Sequence, residues 1–367
     1  MTRIQSNNSQ LFTSIIFGIL TLLIASQTLS QYIIQPLAYD ASLARSGRYS
    51  FSFEAWETIG LDENRAVVGI GTSLTQYAIS GSCVENNINQ NNTHVYNLGV
   101  PGSLPYIEMM QTTTAINHNP SLILLELNPI NLYPLEYASS EYIEMRIKLN
   151  SLFMDSNDYG DWVELLREQD KENLDGILRN PFASESTYFN TALEQELGSF
   201  LMNETAPRHW YLSTPSPQST DWTNYLRNPV WLPRYLDSLN ESELIEYESE
   251  TIAKEIKRPR YNPLIETNAN YEALVYMVSA FSSNDIPVIL VSYPIHPNAK
   301  SLLLDGQFDA HNMTIEKLTE FERVSSLNLI WEDSWTPSDF YDIEHLDVLG
   351  REKICSKLAF EINQTLS

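Results

Sequence analysis

Three apolar runs of strand length constrain this chain most. They are "RAVVGIG" (Arg65 to Gly71), "SLILLELNP" (Ser121 to Pro129) and "IPVILVSYP" (Ile286 to Pro294). None alternates apolar with polar residues, so each strand is buried on both faces, and Pro129 and Pro294 mark two of the ends. A shorter run, "THVYNLGVPGS" (Thr93 to Ser103), ends in a Gly/Pro turn, and "LNLIWED" (Leu327 to Asp333) reads as a last short strand. Between them lie helical patterns: "IEMMQTTTAINHN", "ANYEALVYMVSAFSSND" (Ala269 to Asp285) and the closing "VLGREKICSKLAFEIN". Doubly buried strands alternating with helices predict an α/β fold with a parallel sheet covered on both faces.

Two segments fall outside that alternation. Residues 40 to 63 read as a polar, mixed lead-in. Residues 135 to 268 read as an acidic, helical and loop-rich insertion without a clear buried strand. An insertion after the third strand lands at the carboxyl edge of the sheet, where open α/β folds bind ligands. Its aromatic stretch, Arg208 to Leu236, has two readings: a lid or substrate platform, or the insertion's own core.

The N-terminus has a different chemistry. No charged residue occurs from Ile4 to Tyr39, and Leu11 to Leu29 is mostly apolar. As a helix this stretch spans about 28 Å, close to the hydrocarbon thickness of a bilayer. Arg3 precedes it and all 47 acidic residues follow it, which places the N-terminus inside and the remainder outside. Residues 1–39 are expected to be a membrane anchor, with a cleaved signal peptide as the alternative. Residues 40–367 then form the extracytoplasmic α/β domain. The net charge of −25 excludes nucleic acid as a partner, because phosphate binding needs a basic face.

Within "VVGIGTSLTQYAIS" (67 to 80) the first strand runs straight into Gly71-Thr72-Ser73-Leu74 and a helix. A serine there has its hydroxyl at the sheet edge, and its own N–H, at a helix N-terminus, is placed to stabilise an oxyanion. Serine needs a base and a group orienting that base. Among six histidines, His345 lies in a polar loop before the last helix, three residues after Asp342. In a tight turn this spacing lets Asp342 meet Nδ1 while Nε2 faces Ser73. The Cys and His positions show no metal-ligand spacing, and neither metal nor cofactor is expected.

Four blocks in order carry a resemblance: Gly71-Thr72-Ser73-Leu74-Thr75, Asn97-x-Gly99-x-x-Gly102, Asn128, and Asp342-x-x-His345. Together they resemble the SGNH, or GDSL-type, hydrolase superfamily, over about 65–135 and 269–366. The resemblance implies a flavodoxin-like three-layer sandwich and ester chemistry. Ser73 would attack, His345 would be the base and Asp342 its orienter. The Ser73 and Gly99 N–H groups and the Asn128 amide would form the oxyanion hole. Thr72, Glu126 and Pro129 stand where the family usually has Asp, Gly and Asp. These departures resemble the membrane-anchored branch, with DltD-like and alginate O-acetylation proteins. That branch implies acylated glycans or lipids as substrates and a membrane-bound acyltransferase as a possible partner. A catalytically inactive binding module, or an unrelated α/β domain, are the other readings.

Cys83 lies ten residues after Ser73 and Cys355 ten after His345. In the flavodoxin-like order the first and last helices share a face, so a disulfide between them and two buried free thiols are both open.

Overall fold

The computed structural model describes residues 2–29, 32, 47–89, 92–129, 134–151, 154, 157–179, 215–229, 239–255, 268–302, 307–330 and 332–367. Five strands form one all-parallel sheet: β1 (Arg65–Ile70), β2 (Thr93–Asn97), β3 (Leu122–Glu126), β4 (Val288–Ser292) and β5 (Val324–Asn328), in the order β2-β1-β3-β4-β5. This is an order consistent with a flavodoxin-like fold.

The doubly apolar strands explain the layers. Alternate residues of one strand enter opposite cores: Val68, Ile123, Leu125, Val288 and Leu290 on one face, Val67, Leu122, Leu124, Ile289 and Val291 on the other. The second face is covered by the short helices after β1, α3 (Ser73–Ala78) and α4 (Gly81–Glu85), and by the C-terminal helix α13 (Val348–Leu366). The first face is covered by α2 (Gly47–Gly60), α5 (Pro105–Glu108), α6 (Thr112–His118), α7 (Ser140–Ser151), α11 (Ala269–Ser283) and the end of α12 (Gln307–Leu318).

Two departures from the sequence reading have clear causes. The lead-in 40–63 contains α2, whose Phe51, Ala55, Trp56 and Ile59 are buried at helical spacing. Their polar neighbours diluted that signal. The last strand lies three residues earlier than "LNLIWED". β5 is a half-buried edge strand, Val-Ser-Ser-Leu-Asn, that needs no apolar run. Leu329 and Ile330 are buried in the loop beyond it.

In the insertion, the described residues are helical or irregular and contain no strand: α7, α8 (Glu168–Arg179), α9 (Trp222–Arg227), α10 (Glu241–Glu255) and short 3₁₀ turns. Trp222 and Tyr225 are buried, with the Phe51 ring edge-on to both at 6.3 and 6.2 Å. Trp222 Nε1 donates to Thr58 Oγ1 at 2.9 Å, and Asn228 Oδ1 accepts from the Ser82 N–H at 3.1 Å. These two aromatics are core rather than platform; residues 208–214 and 230–236 of the stretch lie outside the described residues.

The N-terminal helix α1 (Thr2–Leu29) has 28 residues. Its described side chains, 10–25 and 28–29, are all exposed, among them Leu11, Phe12, Phe17 and Leu22. Among the described residues no helix is long and apolar enough to cross a membrane.

Candidate active site

The carboxyl ends of β1 and β3 meet at the point where the strand order reverses, between crossovers that leave in opposite directions. Ser73 follows β1 there as the first residue of α3. Thr72 is its N-cap, with an extended backbone, and its hydroxyl accepts the Leu74 N–H at 3.1 Å. The Thr75 N–H goes to Glu126 Oε2 at 3.1 Å and the Gln76 N–H to Thr72 O at 3.1 Å. Of the first four amides in α3, only that of Ser73 has no acceptor among the described residues.

The loop after β5 delivers the other two groups. A capping box of Thr336 and Asp339 and an antiparallel bridge between Phe340 and Leu346 fold residues 336–346 into a tight hairpin. Asp347 then caps α13, accepting from Leu349 N at 2.8 Å and Gly350 N at 3.1 Å. Inside the hairpin Asp342 Oδ1 accepts the Glu344 and His345 N–H groups, both at 2.8 Å. The same carboxylate reaches His345 Nδ1 at 2.9 Å through Oδ1 and 2.8 Å through Oδ2. The opposite ring nitrogen, Nε2, stands 2.7 Å from Ser73 Oγ. Residues 272 positions apart thus form a continuous Asp–His–Ser line. With Nδ1–H donated to Asp342, Nε2 is an acceptor facing the serine hydroxyl.

Electrostatics follow the contacts. Desolvation favours neutral His345, but the Asp342 charge and hydrogen bond, joined by Glu344 and Glu126, outweigh it and raise the imidazole to about 9. Desolvation likewise pushes the Asp342 carboxyl up; His345 and the two backbone donors outweigh it and hold the carboxyl below its usual range. The side chains keep 17% and 19% of their surface exposed, so the pair sits in the floor of an open edge. The Tyr77 ring lies 4.8 Å from the His345 ring and 6.1 Å from that of Tyr341.

The other two oxyanion candidates are otherwise engaged. The Gly99 N–H donates to Asn97 Oδ1 at 3.0 Å. A side chain at Gly99 would run into the Gln76 amide and the Thr72 carbonyl, so this glycine lets β2's extension lie against the first turn of α3. Asn97 Nδ2 in turn donates to the Thr75, Gln76 and Ile79 carbonyls at 3.1, 3.0 and 2.7 Å, closing the helix behind Ser73. Asn128 is buried, and its amide reaches the Tyr293 carbonyl at 3.4 Å. Gly102 takes φ 66°, a left-handed turn that suits glycine.

Sequence reasoning noticed Glu126 only as a departure from a family pattern. In the structure it is a buried hub. Oε1 accepts from Thr72 Oγ1 at 2.8 Å; Oε2 accepts from Thr72 N at 2.8 Å, Thr75 N at 3.1 Å and Thr75 Oγ1 at 2.7 Å. Gly71 makes room for it: a Cβ there would overlap Thr75 Oγ1 and Glu126 Oε2. The available signal was a carboxylate at the end of an otherwise apolar strand, which demands buried donors.

Cys83 in α4 and Cys355 in α13 are joined as a disulfide, with Cα atoms 5.9 Å apart. The bond ties the helical segment after Ser73 to the helix after His345. No protein-family model matches the chain, and no curated protein matches it in sequence.

Proposed function

We propose that this protein is an SGNH-type serine esterase or O-acyltransferase, anchored by its N-terminal helix, that acts outside the cytoplasm on acyl esters of cell-surface glycans or lipids. The observation that carries the reading is the 2.7 Å contact between Ser73 Oγ and His345 Nε2, with Asp342 on the far nitrogen. In the first half-reaction Ser73 Oγ attacks the ester carbonyl carbon while His345 Nε2 takes its proton. The carbonyl oxygen becomes an oxyanion facing the Ser73 N–H at the start of α3. Asp342 holds the imidazolium. The tetrahedral adduct then collapses, His345 returns the proton to the leaving alkoxide, and an acyl-Ser73 ester remains. In the second half His345 deprotonates water for an esterase, or a sugar hydroxyl for a transferase. The exposed apolar surface of Leu11 to Ile24 supports the anchor, and a disulfide suits an oxidising compartment.

A second reading, an SGNH-like module that binds a polysaccharide or a membrane acyltransferase without turnover, is favoured by the engaged Gly99 amide and Asn128 side chain. The full-length chain in detergent, treated with a fluorophosphonate and mapped by peptide mass spectrometry, decides between them. Labelling at Ser73 that is lost in Ser73→Ala and His345→Ala supports the enzyme. A folded protein left unlabelled supports the module.

A further inference from the structure

Behind the nucleophile turn lie two buried carboxylates, Glu126 and Glu108, and the phenol of Tyr293. The hydrogen-bond donors are divided very unequally between the acids. Glu126 makes four such bonds, two with backbone amides and two with hydroxyls, all to Thr72 and Thr75, one position before and two after Ser73. Two backbone amides necessarily donate to Oε2, with the Thr75 hydroxyl on the same oxygen, and such donors favour an ionised carboxylate. Glu108 has one side-chain hydrogen bond, with Ser103, and its Oε1 is buried with no hydrogen-bond partner among the described residues. An orphaned buried oxygen is far less costly on a neutral acid than on an anion. One negative charge in the pair, on Glu126, is what this arrangement favours.

We propose that Glu126 is a positioning residue for Ser73 and that its buried negative charge helps set the protonation of His345. The inference rests on the reading of Ser73 as the nucleophile. Mechanically, Glu126 grips Thr72 and Thr75, so the single residue whose amide stays free is held at a fixed angle between two clamped neighbours. Only a glycine at position 71 leaves space for this grip. Electrostatically, the charged and titratable groups that act on His345 are Asp342 and Glu344 from its own hairpin and Glu126 from β3, with the Tyr77 ring against it and the Tyr341 ring stacked on Tyr77. All three carboxylates stabilise the imidazolium that forms as Ser73 loses its proton. Desolvation raises the Glu126 carboxyl above its ordinary value and the four donors offset part of that rise; burial and the Glu126 charge push Glu108 up, against a hydrogen bond from Ser103 that lowers it.

The test is the pH dependence of fluorophosphonate labelling at Ser73 in the full-length protein, with His345 followed in parallel by imidazole NMR. Glu126→Gln is expected to slow plateau labelling about 10- to 100-fold and to move the acid limb and the His345 titration down by about half to one unit. Thr75→Val removes one grip but no charge, so it slows labelling and leaves the limb in place. A Glu126→Gln protein with the wild-type limb and a rate within about threefold of wild type overturns the proposal, as does a Thr75→Val protein whose limb moves equally. Should Glu126→Gln not fold, the ¹³C carboxyl shift of Glu126 in the unmutated protein decides: a carboxylate signal at neutral pH supports the proposal and a carboxylic acid signal overturns it. If the unmutated protein is never labelled, the nucleophile reading fails by itself, and the His345 titration still reads the effect of Glu126.

Discussion

Replacing Asp342 with Asn tests the site at its most informative bond. The substitution keeps size and shape, and the Asn carbonyl can still accept the Glu344 and His345 amides that Asp342 Oδ1 holds at 2.8 Å. Its NH₂ then faces His345 Nδ1, where a carboxylate oxygen stood at 2.8 Å. A donor against Nδ1 forces the proton onto Nε2, so the imidazole donates to Ser73 instead of accepting from it. The imidazolium also loses its counter-charge. At an effective dielectric constant near 20, two unit charges at this separation interact by about 6 kcal/mol, which sets the ceiling. The expected loss is about 10³- to 10⁴-fold in the labelling rate at Ser73, or about 4–5.5 kcal/mol in the barrier. Without Asp342 the two largest raising causes are gone, and the His345 titration falls from about 9, with only Glu344 and Glu126 left to oppose desolvation. Stability gives an independent reading. The folded pKa of Asp342 is lowered, so its contribution is present above the ordinary 3.8 and is lost as pH falls through the lowered value. The folded pKa of His345 is raised, so its contribution is present below 6.5 and is lost as pH rises toward about 9. The pair therefore stabilises the fold most between about pH 4 and 6.5, and the variant should show a flatter urea-midpoint profile across both limbs. A labelling rate within tenfold of wild type, or an unmoved His345 titration, refutes this account of the triad.

Two further outcomes are expected. Reduction of the Cys83–Cys355 bond, or Cys83→Ser with Cys355→Ser, opens a loop of 272 residues and should lower unfolding free energy by about 2–5 kcal/mol, read from urea unfolding with a steeper slope because the opened chain is more expanded. Gly71→Ala drives a methyl into Thr75 Oγ1 and Glu126 Oε2 and should cost about 1–3 kcal/mol in chemical denaturation while suppressing Ser73 labelling; a stable, fully labelled variant would contradict the close packing of this turn.

The legible parts of the fold were those with one dominant signal. β1, β3 and β4 were readable because strands buried on both faces must be apolar throughout. The helix at Ala269–Ser283 was readable because its buried Ala273, Leu274, Met277, Val278 and Phe281 repeat at the helical period. β5 was misplaced because an edge strand has no such requirement. The helix Gly47–Gly60 was missed because Phe51, Ala55, Trp56 and Ile59 occupy one face among Ser, Glu and Thr. In the site, Ser73 and the Asp342–His345 spacing were visible as local chemistry. The oxyanion assignments were less so: nothing local reveals that Asn97 would take the Gly99 amide.

The sequence alone determined the alternation of buried strands and helices, the apolar N-terminal stretch, and which serine, histidine and aspartate were the candidates for a shared site. All of these are written in residues close together along the chain. Only the tertiary structure decided that Ser73 and His345 lie 2.7 Å apart, that Cys83 meets Cys355, and that Glu126 underpins the turn that carries Ser73. Those three contacts join residues 54 to 272 positions apart. Their geometry comes from the order of strands in the sheet and from the side chains small enough to let them approach, and no local pattern encodes either.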